Sequence, residues 1–316
     1  MADKKIIAVV GATGHQGGGL VRAILNDKKS PYIVRALTTN INSDKANELK
    51  KLGVEVVSAN LDDQDSLDRA FKGADSAYCV TFYWNHMNPD REITNAVTIA
   101  KAAKTAGIKH AIWSTFGDTR KLVPLDDNRM PTLLGRFKVP HFDAKSEANH
   151  YFTELGVPTT FLLTSFYWDN FIFWGMEPKK GPDGKYAITF PLGDKKMPGI
   201  ASEDIGKCAY GIFKKGKEFI NKTVGIAGEH LTGYQMAETL TKVLGVDIHY
   251  NDVPADVFRS FGFPGADDAG NMFQYKRDFE KEYCANRSVE FSRSLNPELQ
   301  TFEQWALKHK NEIPLA

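Results

Sequence analysis

Cysteine is scarce in this chain of 316 residues. The three cysteines, Cys79, Cys208 and Cys284, are odd in number and far apart, which supports neither a disulfide framework nor a metal site of the CxxC type. We therefore expect no metal, and we expect reduced, mostly buried thiols of the kind usual in the cytoplasm.

Long apolar runs are missing as well. Residues 6–10 are apolar, but this run is too short for the core of a signal peptide, and it ends in glycines. No other stretch approaches the roughly 18 apolar residues that cross a bilayer, so we expect no membrane partner.

Neither sign of charge dominates the composition. Forty basic residues face thirty-nine acidic ones, and no run of five or six like charges occurs. Without a basic cluster, a helix-turn-helix signal or zinc spacing, direct binding of nucleic acid is the weakest functional hypothesis.

The most informative stretch is rich in glycine and lies near the N-terminus. A β-branched run at residues 6–10 leads into Gly-Ala-Thr-Gly-His-Gln-Gly at residues 11–17, and a helical pattern follows. A strand, a glycine turn and a helix in this order are typical of a site that binds the pyrophosphate of a dinucleotide. The candidate ligands of the pyrophosphate are Gly11, Thr13, Gly14, His15, Gln16 and Gly17.

Each glycine has a mechanical reason in this interpretation. Gly11 lets the chain turn at the end of the strand, and Gly14 lets backbone N–H groups approach an anion closely. Gly17 lets the new helix pack against the strand. The spacing GxxGxxG is the variant found in extended and atypical short-chain dehydrogenase/reductase folds.

Strand-like and helix-like segments then alternate with short links. The predicted strands are residues 6–10, 32–38, 54–57, 74–81, 109–114 and 158–163. This alternation predicts an α/β fold with a Rossmann-type doubly wound parallel sheet and helices on both faces.

The regular alternation ends after residue 164. We therefore expect an NAD(P)-binding Rossmann domain at residues 1–165 and a smaller α+β C-terminal lobe on the substrate side at residues 166–316. The lobe is not expected to be independent, and it can exchange elements with the first domain. Residues 117–140, rich in Pro, Asp and Gly, interrupt the first domain, and they fit a substrate-side lid and a variable surface loop equally well.

The end of the second strand should decide which form of the cofactor binds. An acidic residue there would accept the ribose hydroxyl of NAD and repel a 2′-phosphate, and none is present. Thr38, Thr39 and Asn40, with Ser43 and Lys45 nearby, can donate hydrogen bonds to a phosphate. We therefore favour NADP(H) over NAD(H).

Three segments together carry a resemblance to a known family. They are residues 11–17, the sequence His-Phe-Asp-Ala-Lys at 141–145, and Gly-Phe-Pro-Gly-Ala at 262–266 with Asn-Met-Phe at 271–273. The chain resembles the NmrA-like family of atypical short-chain dehydrogenase/reductases over essentially its whole length, and within it the NADPH-sensing members. The resemblance implies a Rossmann domain with a small lobe, a redox sensor or regulator, a protein partner or homodimer, and the nucleus as a second location.

The resemblance also implies roles for residues at the strand ends. Asn60 and Leu61 would flank the adenine, and the neighbouring acids Asp62 and Asp63 also suit the first turn of a helix, an interpretation we favour for Asp63. By the same resemblance Thr81, Phe82 and Tyr83 lie along the cofactor, and Tyr167 and Asn170 contact its nicotinamide half. The family usually places an arginine at the position of Thr39, so the strongest determinant of NADP binding is missing.

The proton-transfer set of the superfamily is incomplete here. Relatives use Tyr-x-x-x-Lys, in which the lysine binds the nicotinamide ribose and lowers the pKa of the tyrosine. Lys145 matches that lysine and Ser114 matches the catalytic serine, but His141 replaces the tyrosine. Tyr83, His141 or water would then be the acid, although a lone histidine after a proline is more often structural.

Two functions follow from this set. The first is an NADP(H) sensor that regulates a partner, because the phosphate turn is complete and the proton relay is not. The second is an NAD(P)H-dependent reductase of a small aromatic, quinone or carbonyl substrate, since related phenylpropanoid reductases work with the lysine alone. The residues alone do not decide between these two functions.

Overall fold

A parallel sheet forms the centre of the first of two units into which the chain divides. The computed structural model describes residues 4–316. Unit 1 contains the described residues up to Asp118, His141–Leu163 and Glu203–Val224, and unit 2 contains Thr119–Pro140, Thr164–Ser202 and Gly225–Ala316.

The strands are β1 (Lys5–Val10), β2 (Tyr32–Thr38), β3 (Glu55–Ser58), β4 (Ser76–Cys79), β5 (His110–Thr115), β6 (Thr159–Leu163), β7 (Phe166–Tyr167), β8 (Lys179–Lys180), β9 (Tyr186–Phe190), β10 (Met197–Ile200), β11 (Thr223–Gly225), β12 (Glu229–Leu231) and β13 (Ile248–Asp252). The helices are α1 (His15–Asn26), α2 (Asp44–Lys51), α3 (Gln64–Phe71), α4 (Pro89–Thr105), α5 (Pro140–Glu154), α6 (Asn170–Phe173), α7 (Ser202–Lys215), α8 (Gly233–Leu244), α9 (Ala255–Arg259), α10 (Ala266–Asp278), α11 (Glu280–Ala285), α12 (Val289–Leu295) and α13 (Phe302–Lys308).

The sheet of unit 1 has the strand order β11-β6-β5-β4-β1-β2-β3, and the strands from β6 to β3 pair in parallel. Ile7, Ala8 and Val9 of β1 have no exposed surface, as a strand covered on both faces requires. The chain leaves one side of β1 after β3 and returns on the other side with β4. This reversal confirms the predicted Rossmann-type doubly wound fold and creates a crevice at the carboxyl ends of β1 and β4.

Two helices cover one face of this sheet with small apolar side chains. The buried residues of α4 include Glu92, Ala96, Ile99 and Ala103, which recur every three or four positions. They join α3 and the sheet in one hydrophobic cluster, with the exception of the carboxylate at position 92.

From Glu203 onward, helix α7 belongs to unit 1. The hydroxyl of Tyr32 on β2 donates to the carbonyl of Phe213 (2.8 Å), and the hydroxyl of Tyr210 donates to Asp27 Oδ2 (2.8 Å). Residues 203–224 therefore lie on the other side of the boundary predicted at 165. The same contacts put Tyr210 and Lys214 in unit 1, although we expected them in the second lobe.

Residues 119–140 belong to unit 2 and are tied to α10. The side-chain amide of Asn271 donates to the carbonyls of Pro131 (2.9 Å) and Lys138 (2.6 Å), and that of Gln274 donates to the carbonyl of Arg129 (2.6 Å). The segment that we expected as a lid or surface loop is thus held by one helix of its own unit.

Unit 2 also contains two three-stranded sheets, β12-β10-β7 and β13-β9-β8. Its core is aromatic, and each of its largest rings is at most 3% exposed. The rings belong to Phe166, Trp168, Phe171, Phe190, Phe273, Phe302 and Trp305.

Candidate dinucleotide-binding site

The glycine turn has the geometry that its sequence predicts. Gly11 has a φ of +65°, in the left-handed region that favours glycine. A Cβ atom at Gly17 would lie 2.5 Å from the carbonyl oxygen of Gly11, so only glycine lets α1 begin this close to the turn. The N-cap of α1 is Gly14, which brings no capping side chain. The positive end of the helix dipole therefore points at this turn.

Side chains of the turn contact the neighbouring strands. The hydroxyls of Thr13 and Thr38 lie 3.5 Å apart, which links the turn to the end of β2. Gln16 accepts a hydrogen bond from the hydroxyl of Tyr78 on β4. His15 is the first residue of α1 and is half-buried.

The end of β2 offers exposed donors. Thr39, Asn40 and Lys45 are exposed, whereas Thr38 is buried and accepts a hydrogen bond from the backbone of Asn40 (3.3 Å). Ser43 has a local role, because its hydroxyl accepts from a backbone N–H in the first turn of α2 (3.2 Å) and donates to the carbonyl of Asn40 (3.1 Å). The exposed candidates for a 2′-phosphate are therefore Thr39, Asn40 and Lys45.

The acids after β3 have structural roles. Asp62 pairs with Arg91 (2.6 Å) and accepts from Asn95 (2.7 Å), both on α4, and these two hydrogen bonds hold the pKa of its carboxyl below the usual range. Asp63 is the N-cap of α3, in agreement with the local role favoured for it. The side-chain oxygen of exposed Asn60 accepts from the backbone of Asp62 (3.1 Å).

The residues after β4 differ in exposure. Thr81 and Tyr83 are buried, Phe82 is 45% exposed, and Leu61 from the neighbouring connection is half-buried. The ring of Tyr83 lies edge-on to that of Trp84, with their centroids 5.5 Å apart. Tyr83 is therefore part of an aromatic cluster at this edge.

Lys145 makes three short contacts that bind its ammonium to the end of β4 and to α4. Its Nζ lies 3.0 Å from the carbonyl oxygen of Thr81, 2.6 Å from the Thr81 hydroxyl and 2.5 Å from Glu92 Oε1. The Thr81 hydroxyl donates in turn to the same Glu92 oxygen. An ammonium group has three N–H bonds, so the protein accepts all of them in this arrangement.

Glu92 is the buried anion of the site, with no exposed surface. Burial alone would raise the pKa of its carboxyl, but the charge of Lys145 and hydrogen bonds from neighbouring side chains outweigh burial and lower the pKa to about 2. Its second oxygen lies 3.2 Å from Nε2 of His86. The angle does not suit a hydrogen bond, and within residues 4–316 neither of these two atoms makes one.

His141, the residue in place of the tyrosine, lies among rings. It is 4% exposed, and its ring centroid is 4.8 Å from that of Trp84 and 4.6 Å from that of Phe142. The centroids of Tyr83 and Phe116 lie 5.8 and 5.9 Å away. These contacts favour the structural interpretation of His141.

The fifth strand brings Ser114 and its neighbour Thr115 to the same edge. Ser114 is 3% exposed, and the Thr115 hydroxyl donates to the carbonyl of Lys145 (3.1 Å) and to Asn149 Oδ1 (2.9 Å). Trp113 donates to the same Asn149 oxygen (2.9 Å), and its ring lies 5.3 Å from Lys145 Nζ. The backbone of α5 around Lys145 is thus fixed to β5.

Tyr167 and Asn170 lie in unit 2, on β7 and at the start of α6. Their assignment to the nicotinamide half of a cofactor stays a prediction. Of the aromatic residues near them in sequence, Trp168 and Phe171 are buried in the core of unit 2, whereas Phe173 and Trp174 are 57% and 45% exposed.

The sequence interpretation missed Glu92 and His86. Glu92 follows Pro89, Asp90 and Arg91, and this position is typical of an exposed acid in the first turn of a helix. A signal was nevertheless present, because Glu92 shares the apolar face of α4 with Ala96 and Ile99. A lone acid on an apolar helix face indicates a buried partner.

Within residues 4–316, no three His, Cys, Asp or Glu side chains are grouped closely enough to hold a metal ion. Over the same residues, no helix has both the length and the apolar character that crossing a membrane demands.

The parallel sheet and the glycine turn at its reversal point place the chain in the Rossmann class of α/β proteins. The sequence profile of the NmrA-like family matches residues 3–306, and the chain belongs to that family.

Relatives of two kinds are similar to this chain. It is 29% identical to an NmrA-like family domain-containing protein of Dictyostelium discoideum, over 82% of this chain and 84% of that protein. It is 25% identical to the NmrA-like family domain-containing oxidoreductase lnbB of Aspergillus flavus, over 93% and 90%.

The crystal structure of NmrA, a negative transcriptional regulator, in complex with NAD has the same fold. It superimposes with a TM-score of 0.79 at 24% identity, covering 97% of this chain and 95% of that one. The same regulator has also been crystallised with NADP. The family therefore includes a regulator that binds dinucleotides and proteins named as oxidoreductases.

Proposed function

We propose that this protein binds NADP(H) at the carboxyl edge of unit 1 and acts as a sensor of the NADPH/NADP ratio. One observation carries the proposal: a complete phosphate turn stands beside a proton-transfer set that lacks its acid. Gly11 has a backbone conformation that favours glycine and Gly17 a position that only glycine allows, whereas His141 packs among aromatic rings at the position of the tyrosine. The NmrA regulator, crystallised with NAD and with NADP, supports the same function.

The preference for NADP(H) rests on the end of β2. No acidic side chain stands there to repel a 2′-phosphate, and Thr39, Asn40 and Lys45 are exposed. A Thr39→Arg variant supplies the charged fork that the chain lacks. We expect it to bind NADP⁺ about tenfold more tightly and to leave the affinity for NAD⁺ nearly unchanged.

The first test is a titration of the purified protein with NAD⁺, NADH, NADP⁺ and NADPH, followed by the fluorescence of its five tryptophans. Two neighbouring glycines of α1 give a matched pair of variants. Gly17→Ala places a Cβ atom 2.5 Å from a backbone oxygen, whereas Gly18→Ala meets its first neighbour, a flexible Arg22 side chain, at 3.2 Å.

We expect Gly17→Ala to abolish binding and Gly18→Ala to retain it. Equal affinity in both variants, or no binding of any of the four forms to the unmodified chain, would falsify the proposed cofactor site.

The second test measures turnover of NADPH with a panel of quinones and aldehydes. A sensor binds without turnover, and we expect its NADPH-bound and NADP⁺-bound forms to differ in sedimentation, either as a homodimer or with a protein partner. Steady oxidation of NADPH by any member of the panel would exclude a purely regulatory function.

A reductase is the second candidate, because Ser114 and Lys145 both lie at this edge and a family relative is named as an oxidoreductase. Bound NADPH would supply the hydride. Ser114 and Lys145 would bind the substrate and the ribose, and Tyr83, His141 or water would donate the proton. In this case Lys145→Ala should lose turnover, and unchanged turnover in that variant would count against a reductase.

A further inference from the structure

We propose that Glu92 is a positioning residue for Lys145, which pairs with the lysine and holds its ammonium near the end of β4. The proposal rests on the proposed function, since it takes Lys145 as the group that faces the ribose of the cofactor. Glu92 itself does not contact the cofactor in this scheme.

The first argument is the balance of charge. Lys145 is 6% exposed and Glu92 has no exposed surface, so water does little to stabilise either ion. The carboxylate oxygen lies 2.5 Å from the ammonium nitrogen and also accepts from the Thr81 hydroxyl. Without this anion, burial would favour the neutral amine.

The second argument is the geometry around the ammonium. Two of the three acceptors belong to Thr81, two residues after the end of β4, and the third belongs to α4. Because these elements are packed into one core, the three acceptors fix Nζ in space. A ribose hydroxyl can still accept from Lys145 by exchanging with one of these bonds.

The other titratable groups near the pair need separate controls. His86 faces the second oxygen of Glu92 at 3.2 Å, and His141 lies one turn before Lys145 on α5 with Tyr83 packed against its ring. Variants His86→Gln and His141→Gln report how much each histidine contributes to any pH dependence.

The experiment measures the dissociation constant of NADP⁺ between about pH 7 and pH 9, a window in which the 2′-phosphate is already ionised. In the unmodified chain Glu92 faces the ammonium of Lys145, and we expect the constant not to change with pH. In Glu92→Gln the buried lysine loses its proton as the pH rises, and the affinity should fall about tenfold across the window. Glu92→Asp keeps the charge and should restore a flat profile.

Two further measurements separate positioning from a general loss of structure. Circular dichroism and thermal unfolding show whether Glu92→Gln is folded at each pH. In a Lys145→Met background, Glu92→Gln should no longer affect the affinity for NADP⁺, because Glu92 acts only through the lysine.

The outcomes distinguish this proposal from the proposed function. If the unmodified chain binds no dinucleotide, the proposed function fails. If it binds NADP⁺ but folded Glu92→Gln has the same flat profile, or still lowers the affinity in the Lys145→Met background, the positioning role is overturned.

Discussion

Lys145 is buried in unit 1 and Lys276 is buried in unit 2, and the two lysines have different surroundings. Lys145 of unit 1 meets a carboxylate and a hydroxyl. Lys276 of unit 2 is 2% exposed, and its Nζ lies 3.3 Å from the sulfur of Met272 and 3.9 Å from that of Met197. The ring centroid of Phe273 lies 5.3 Å from the same nitrogen.

The difference lies in the charged groups around each amine. Burial, followed by the positive charge of Arg287, lowers the pKa of Lys276 well below its usual range. Around Lys145, the carboxylate of Glu92 offsets the cost of burial. A buried lysine is therefore not one kind of feature, because its neighbours decide how strongly burial disfavours its charged form.

The largest effect is expected from Glu92→Ala, which removes the partner and leaves Lys145 buried. The free energy of unfolding should fall by about 3–5 kcal/mol, because an uncompensated buried charge is much worse than a paired one. Urea unfolding at neutral pH measures this difference.

The double variant Glu92→Leu/Lys145→Met is the matched control, since it replaces the pair by apolar groups. It should recover most of the lost stability. A loss as large as that of Glu92→Ala would show that packing at this site, and not charge, decides the stability.

In contrast to Glu92→Ala, the substitution Lys276→Met is expected to stabilise the protein. Methionine fills a similar volume beside two methionine sulfurs and removes the need to bury an amine, so the free energy of unfolding should rise by about 2–3 kcal/mol at neutral pH. The measurement is again urea unfolding, with Lys276→Ala as the control for volume.

The stability gained from Lys276→Met should depend on pH. The pKa of Lys276 is lower in the folded chain than the usual 10.5, so the unfolded chain binds more protons below 10.5 and the folded state is penalised there. The gain from Lys276→Met should grow as the pH falls below 10.5 and should shrink as the pH approaches this unfolded value. A destabilised variant with no such trend would show that the amine makes a net favourable contact.

Much of unit 1 follows from local sequence. The five apolar residues at 6–10 predict β1, the glycines at 11 and 17 predict the turn, and Ser43 and Asp63 cap their helices within a residue or two of the predicted starts. These features depend on neighbours along the chain, so the sequence contains their causes.

The assignment of segments to units does not follow from local sequence. Asn271 holds Lys138 from 133 positions away, and Tyr210 meets Asp27 across 183 positions. No turn residue or periodicity records such a pairing. For the same reason the Lys145 and Glu92 pair was missed, since only the packing of α4 against the sheet brings the two side chains together.

His110 of β5 is a further buried base and gives the smallest predicted effect. It is 6% exposed, and its Nε2 lies 2.8 Å from the hydroxyl of Thr160. Burial lowers the pKa of His110 to about 4, against a weaker opposing effect of Asp75. Like Lys276, it is a base whose neutral form the fold favours.

The direction of the pH dependence follows from the lowered pKa of His110. Between its unfolded value of 6.5 and about 4 the unfolded chain binds the extra proton, so His110 should cost about 1–2 kcal/mol of stability as the pH falls through this window. His110→Gln keeps a polar group for Thr160 but cannot titrate. The difference in unfolding free energy between the two chains should therefore shift in favour of the variant on acidification, because carboxylates titrate equally in both.

A constant difference from pH 7 to about 4.5 would mean that His110 is protonated as readily when folded as when unfolded. The interpretation that burial disfavours the charged form of His110 would then be wrong.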